Sequence, residues 1–193
     1  MNAFEKWFCG SAVWRWMTRR QILPWVIADA NLGDHVLELG AGPGAGTPEL
    51  RRRAPRVTSL EFDSKLVRRL HSNLGASDSR HGAILQGDAA ALPFSAETFS
   101  AATAILMLHH LKTPEQQERA FAEIFRVLRP GAVFLALEIQ NSWANRVGHI
   151  QSTFVPLAPE DASERLRRAG FRQIVYSTKG SAYRLRALRP RFP

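Results

Sequence analysis

His35-Val36-Leu37-Glu38-Leu39-Gly40-Ala41-Gly42-Pro43-Gly44-Ala45-Gly46 is the stretch that decides the fold of this chain. Apolar residues with β-type alternation run into an acid, and from residue 40 to 46 a glycine stands at every second position. Such a run is a tight strand-to-helix turn, because glycine accepts positive φ and lets a ligand lie against bare backbone. The next helix, opening near Thr47-Pro48-Glu49, presents unpaired N–H groups that favour an anion. The stretch points to a bound group carrying a carboxylate or phosphate.

Outward from this turn, apolar segments of period two alternate with segments of helical period. Strands are expected near 35–39, 57–61, 83–86, 99–105, 132–138, 172–177 and 183–188. Helices are expected near 47–54, 64–74, 115–128 and 160–169, with a polar loop between Asn73 and Gly82. This alternation implies a mostly parallel sheet with crossover helices on both faces. Only residues 177–182 separate the last two strands, too few for a parallel crossover, so these form an antiparallel hairpin.

Residues 1–30 read as an N-terminal helical extension and residues 31–193 as the ligand-binding domain. Phe4, Trp7, Phe8 and Ser11 keep helical spacing, and Pro24 reads as the first turn of a new helix. The extension holds four of the five tryptophans, Trp7, Trp14, Trp16 and Trp25, beside Arg15, Arg19 and Arg20. Aromatics among arginines suit packing against the domain with pocket-lid duty layered on it, the preferred reading, or a weak peripheral membrane contact.

The 193 residues are long enough for one domain that buries about 70% of its unfolded surface. Apolar runs are interrupted by charges well short of the ~20 residues that span a bilayer, and no secretory signal pattern opens the chain. A single cysteine, Cys9, fits a reducing compartment, so a cytoplasmic location is expected. The net charge is +9, with nine basic and three acidic side chains in residues 160–193 and a second cluster at Arg51, Arg52, Arg53 and Arg56. That balance suggests an acidic partner or an arginine-rich solvated surface.

Two ligand classes use a loop of this kind. Gly40, Gly42 and Ala45 satisfy the spacing of dinucleotide sites, with Glu61 about 20 residues on, where a ribose-binding acid belongs. The same residues read as Glu38-x-Gly40-x-Gly42-x-Gly44. Gly87-Asp88-Ala89, Leu92-Pro93-Phe94, Met107-Leu108-His109-His110, Arg126-Val127-Leu128-Arg129-Pro130-Gly131 and Leu166 to Phe171 follow in order. That ordered set resembles the class I S-adenosylmethionine-dependent methyltransferases, in particular the small-molecule branch of the ubiquinone- and menaquinone-biosynthesis type, over about residues 30–190. The resemblance implies a Rossmann-like, seven-stranded α/β sheet ending in an antiparallel hairpin, a finish that a dinucleotide-binding domain does not normally have.

The resemblance also implies roles for individual residues. Gly40, Gly42 and Gly44 would pass against the methionine part of S-adenosylmethionine, and Glu38 would order the loop and the ligand's amino end. Glu61 would accept from both ribose hydroxyls, and Phe62 would flank the adenine. Asp88 would accept from the adenine amino group and Ala89 would offer its backbone N–H, with Leu106 a further cofactor contact. Asp63 reads instead as the N-terminal residue of a helix. Ser100 departs from the family, where many relatives carry Phe-Asp, an acid that is usually structural.

His109 and His110 follow the fourth strand, where the methyl group would emerge, as candidates for packing, acceptor contact or a general base. His149 and Trp143, in a short segment after the fifth strand, are further candidate acceptor contacts. No metal is expected. An adenine-amino methyltransferase would need an Asn/Asp-Pro-Pro-aromatic turn where Ile105-Leu106-Met107-Leu108 stands, and a cytosine-C5 enzyme a cysteine there. A nucleic-acid acceptor is therefore not expected. The expectation is transfer of a methyl group to a small, apolar or aromatic acceptor, leaving S-adenosylhomocysteine. The alternatives are an NAD(P)-binding oxidoreductase and a non-catalytic or membrane-docking protein of the same fold.

Overall fold

A computed structural model describes residues 7–75, 81–148, 150 and 152–191. Its centre is one seven-stranded sheet. The strands are β1 (His35–Leu39), β2 (Arg56–Glu61), β3 (Ile84–Gln86), β4 (Phe99–Ile105), β5 (Leu128–Ile139), β6 (Arg172–Lys179) and β7 (Ala182–Leu188). The spatial order is β3-β2-β1-β4-β5-β7-β6. β1 to β5 are mutually parallel, whereas β7 runs antiparallel to β5 and to β6. The expected hairpin finish is therefore present, and the carboxyl ends of five strands share one edge.

Period-two alternation divides the core in two. Leu37, Leu39, Phe134, Ala136, Tyr183 and Leu185 face one layer, closed by helices α5 (Pro114–Val127) and α7 (Pro159–Ala169). Val36, Val133, Leu135 and Leu137 face the other, closed by α2 (Leu23–Ile27) and α3 (Thr47–Arg53). Helix α4 (Ser64–Leu74) starts on Asp63, whose side chain accepts from the Lys65 N–H, as its position in the sequence implies. The Leu-Arg-Arg-Ala-Gly-Phe motif is a helix stop: Gly170 N–H bonds to Arg167 O, and Phe171 N–H to Leu166 O, with both apolar ends buried.

One expectation changes. β5 begins at Leu128 rather than near 132, because Leu128 already pairs with Phe99 before a register shift. The N-terminal extension packs against the domain. Pro24 stands in the first turn of α2 as read, but α2 continues from α1 (Ala12–Met17) through a π turn, Thr18–Ile22. Proline has no N–H and crowds the carbonyl four residues back, and the wider turn, with the Leu23 N–H on Thr18 O, accommodates it. Leu23, Val26 and Ile27 of this helix are core residues that pack with Val36, Leu50 and Val133. Phe4 lies outside the described residues. Among those described, no helix is long and apolar enough to cross a membrane.

Candidate functional site

The glycine loop sits where β1 ends. Gly40 and Ala41 N–H groups both reach Leu60 O on β2, at 2.9 and 3.2 Å, which folds the loop back over the sheet edge. Gly40, Gly42 and Gly44 have φ of +66°, +55° and +89°. Their surroundings differ. A Cβ on Gly40 would stand 2.6 Å from Met107 Cβ, whereas one on Gly42 would meet nothing within 4 Å. Gly40 is required by the protein's own packing, while Gly42 opens onto space that a ligand can use.

Glu61, at the carboxyl end of β2, closes over this opening. One carboxylate oxygen accepts from the Gly42 N–H at 2.8 Å and the other from the Asp63 N–H at 2.9 Å. Glu38 lies beneath. It is buried on β1 and accepts from Thr47 Oγ1 and Ser59 Oγ, each at 2.7 Å. Burial pushes its carboxyl up to about 7, against the lowering influence of the two hydroxyls and the nearby Arg51 charge. The N-terminal helix seals the same spot from outside: a Cβ on Gly46 would meet Glu38, Leu23 and Thr18, and Arg19 Nε reaches Ala45 O at 3.5 Å.

Phe62 follows Glu61 and is 65% exposed at the rim. Asp88 lies past β3, its Oδ1 held by the Ala90 N–H at 2.8 Å, and Ala89 beside it is buried. Two further motifs prove to be one clamp. The Leu92 N–H donates to Glu123, Glu123 pairs with Arg126, and Arg126 donates to the carbonyls of Leu92 and Phe94. Arg189, which sequence reading missed, caps the end of α5 through the carbonyls of Phe125, Arg126 and Leu128. Ser100, the departure from the family, ties β4 to β1: its Oγ donates to Leu32 O and accepts from the His35 N–H.

After β4 the chain turns through Leu106, at φ +53°, into a short 3-10 helix, Leu108–His110. His109 is 2% exposed and its Nδ1 lies 2.5 Å from Glu138 Oε2 on β5. It belongs to the floor of the edge. His110 is half-buried, with Nδ1 donating to Thr153 O at 3.0 Å. His149 lies outside the described residues. Trp143 opens α6 (Trp143–Gly148) and is 81% exposed. Sequence reading also missed Glu138, although an acid ending the apolar run Ala132 to Leu137 was a signal. Gln117 works beside it, donating from Nε2 to Leu108 O and Val155 O.

Two clefts lie away from this edge's centre. One, of about 550 Å³, is lined by Arg19, Arg20, Pro24, Glu49 and Arg52. The other, of about 370 Å³, runs along residues 27–32 beside Arg53. Neither is lined by Gly42, Glu61 or Asp88.

A family profile described as a methyltransferase domain matches residues 37–136. The chain belongs to this family. Its members are class I S-adenosylmethionine-dependent methyltransferases, and the matched span runs from β1 into β5. A probable S-adenosylmethionine-dependent methyltransferase of Mycolicibacterium smegmatis is 30% identical over 164 residues, 81% of this chain and 59% of that protein. A demethylmenaquinone methyltransferase of Thermobifida fusca is 31% identical over 113 residues, 58% of this chain and 47% of that protein. The matches thus span about half the length of these relatives. Among solved structures, a protein of Pyrococcus horikoshii OT3 shares the fold with TM-score 0.79 and 17% identity, over 94% of this chain and 93% of that one.

The methyltransferase domain implies S-adenosylmethionine, and the residues present fit it. The open space over Gly42, where an added Cβ would stand alone, is a cradle for a ligand lying on backbone. Glu61 already shows an acceptor's geometry toward that space.

Proposed function

We propose that this methyltransferase domain transfers a methyl group from S-adenosylmethionine to a small, apolar or aromatic acceptor. The observation that carries the reading is the pairing of Gly42 with Glu61 across the open end of β1 and β2. In this reading Gly40, Gly42 and Gly44 admit the methionine part, and Glu61 accepts from the ribose hydroxyls in place of the Gly42 N–H. Phe62 flanks the adenine, Asp88 and Ala89 read its edge, and Leu106 walls the site.

S-adenosylmethionine supplies a sulfonium whose methyl group is already activated, so the chain's work is orientation and exclusion of water. The rigid turn after β4 serves the first need. His109 is fixed by Glu138, and His110 presents itself to the acceptor. With the Nδ1 proton committed to Thr153 O, a neutral His110 ring carries its lone pair on Nε2, the atom suited to contact an acceptor hydroxyl. The relative described as a demethylmenaquinone methyltransferase supports an apolar acceptor of the quinone-precursor kind, with phenols and lipid head groups also open.

Calorimetry of the purified chain against S-adenosylhomocysteine and NADH tests this reading. S-adenosylhomocysteine should bind and NADH should not. Binding of NADH alone would overturn the proposal. Turnover across an acceptor panel then distinguishes an enzyme from a non-catalytic relative, and mass spectrometry of a ligand carried through purification identifies the acceptor class.

A further inference from the structure

The large apolar side chains that stand exposed among the described residues are unevenly placed. Apart from Val175 and Tyr176 on β6, all belong to the N-terminal segment, the turn after β2 or the segment after β5. Val13 and Trp16 on α1 are 61% and 56% exposed, and Trp143 and Val147 on α6 are 81% and 45% exposed. Topology brings these segments to one edge. β2 and β5 run parallel to β1, so Phe62 and α6 leave the sheet where the glycine loop lies. The helix carrying Val13 and Trp16 reaches the same loop, because Thr18 is buried against Gly46 and Arg19 donates to Ala45 O. The exposed apolar groups thus form a rim around the edge at which methyl transfer is proposed.

Cations accompany the rim. Val13, Trp16 and Arg20 are spaced three and four residues apart, so they share the exposed face of the N-terminal helix. Arg19, Arg20 and Arg52 line the 550 Å³ cleft beside it. The acid there, Glu49, already accepts from Arg52 and Arg53. Arg146 is exposed on α6 between Trp143 and Val147.

We propose that this rim docks on an anionic phospholipid surface and that the acceptor enters the site from that surface. The second half rests on the methyltransferase reading; the first does not. Indole rings settle at the headgroup level of a bilayer, aliphatic side chains sink below it, and guanidinium groups meet lipid phosphates. The net charge of +9 acts in the same sense. A second copy on the rim would seal the edge that an acceptor must cross. Nucleic acid would find rings to stack on, but Val13 and Val147 offer it nothing.

The test is sedimentation of the full chain with vesicles of phosphatidylcholine and phosphatidylserine, and with phosphatidylcholine alone. Binding should require the anionic lipid and should fall by at least about fivefold in Trp16→Ser/Val147→Ser and in Arg20→Glu/Arg52→Glu. Soluble glycerol phosphate should compete only weakly, since it lacks the apolar contact. Calorimetry with S-adenosylhomocysteine should give wild-type affinity in both variants, which shows that they fold and keeps failure of the two proposals separate. Absence of sedimentation, equal binding to both vesicle types, or a vesicle affinity unchanged by the variants would overturn docking. So would a dimer or an RNA complex that the same variants abolish without any vesicle binding.

Discussion

Glu138 and His109 are joined at 2.5 Å inside the protein, and the second Glu138 oxygen takes the Leu108 N–H at 2.7 Å. One carboxylate on β5 therefore fixes two consecutive residues of the turn after β4. The His109 carbonyl in turn accepts from the Val155 N–H at 2.8 Å, so the segment that follows α6 hangs on the same point. Replacing Glu138 with Ala strands buried donors and should cost about 3 kcal/mol. Glu164→Ala, which breaks only an exposed pair with Arg168, should cost less than ~0.5 kcal/mol. Urea denaturation of both variants checks the contrast, and equal losses would remove the structural role assigned to Glu138.

Glu61→Ala removes the acceptor at the end of β2. Hydrogen bonds to a charged group are worth roughly 1.5–3 kcal/mol each, so affinity for S-adenosylhomocysteine should fall at least about tenfold while the fold survives. Isothermal titration gives the answer, and an unchanged dissociation constant would separate Glu61 from the ligand.

Gly42→Val and Gly40→Val should fail in different ways. At Gly42 the new side chain meets only open space in the protein, so the cost is the strain of φ +55°, about 1–2 kcal/mol, together with loss of ligand binding. At Gly40 the new Cβ strikes Met107, and thermal stability should drop far more. A melting curve and a binding isotherm for each variant test this. Normal binding by Gly42→Val would show that the loop is not the cradle.

Glu38 makes the fold sensitive to pH. Its folded value of about 7 lies above its ordinary 4.5, so the native state holds a proton that the unfolded chain releases. Its contribution is complete below about 4.5 and is lost as pH rises through 7, a span worth roughly 3 kcal/mol. His35 works in the opposite sense: burial lowers its value, so its contribution is present above 6.5 and fades as pH falls. The Glu38 part of the melting-temperature profile should therefore decline between about pH 4.5 and 7 in the wild type and be absent in Glu38→Gln. Identical slopes would show that Glu38 does not titrate in that window.

Removing residues 1–31 should abolish folding rather than merely uncover the site. That deletion takes Leu23, Val26 and Ile27 out of a core in which each large apolar side chain is worth about 2–5 kcal/mol, against a total stability of ~5–15 kcal/mol. Circular dichroism of the truncated chain decides. A cooperative melt would return the extension to the status of a detachable lid.

The glycine run, the period-two strands and the short gap before β7 were legible because each is a local constraint that only one geometry satisfies. Helix α4 matches its expected bounds, 64–74, for the same reason: Asp63 caps one end and an amphipathic pattern runs to the other. The misses share a different cause. Glu138, Gln117 and Arg189 act across 9 to 64 residues of sequence. No spacing rule announces that a strand acid will meet a turn two elements away. Likewise, His109 and His110 are neighbours in sequence, yet one is sealed and the other half-buried, a distinction set by the segment 153–157 that packs over them.

The π turn at Thr18–Ile22 has a consequence for how the N-terminal helix is oriented. A regular α-helix locks the phase between its two ends, about 100° per residue. Widening one turn inserts an extra residue and so resets that phase, letting Thr18 face the glycine loop and Leu23, Val26 and Ile27 face the sheet at once. Deleting Gln21 would restore a regular ladder and rotate the outer half of the helix by about 100° relative to the inner half. Val13 and Trp16 would then swing away from their present direction while the core half stayed in place. The azimuth of the rim and the packing of the core are thus set independently, and a single residue in the chain adjusts one without the other.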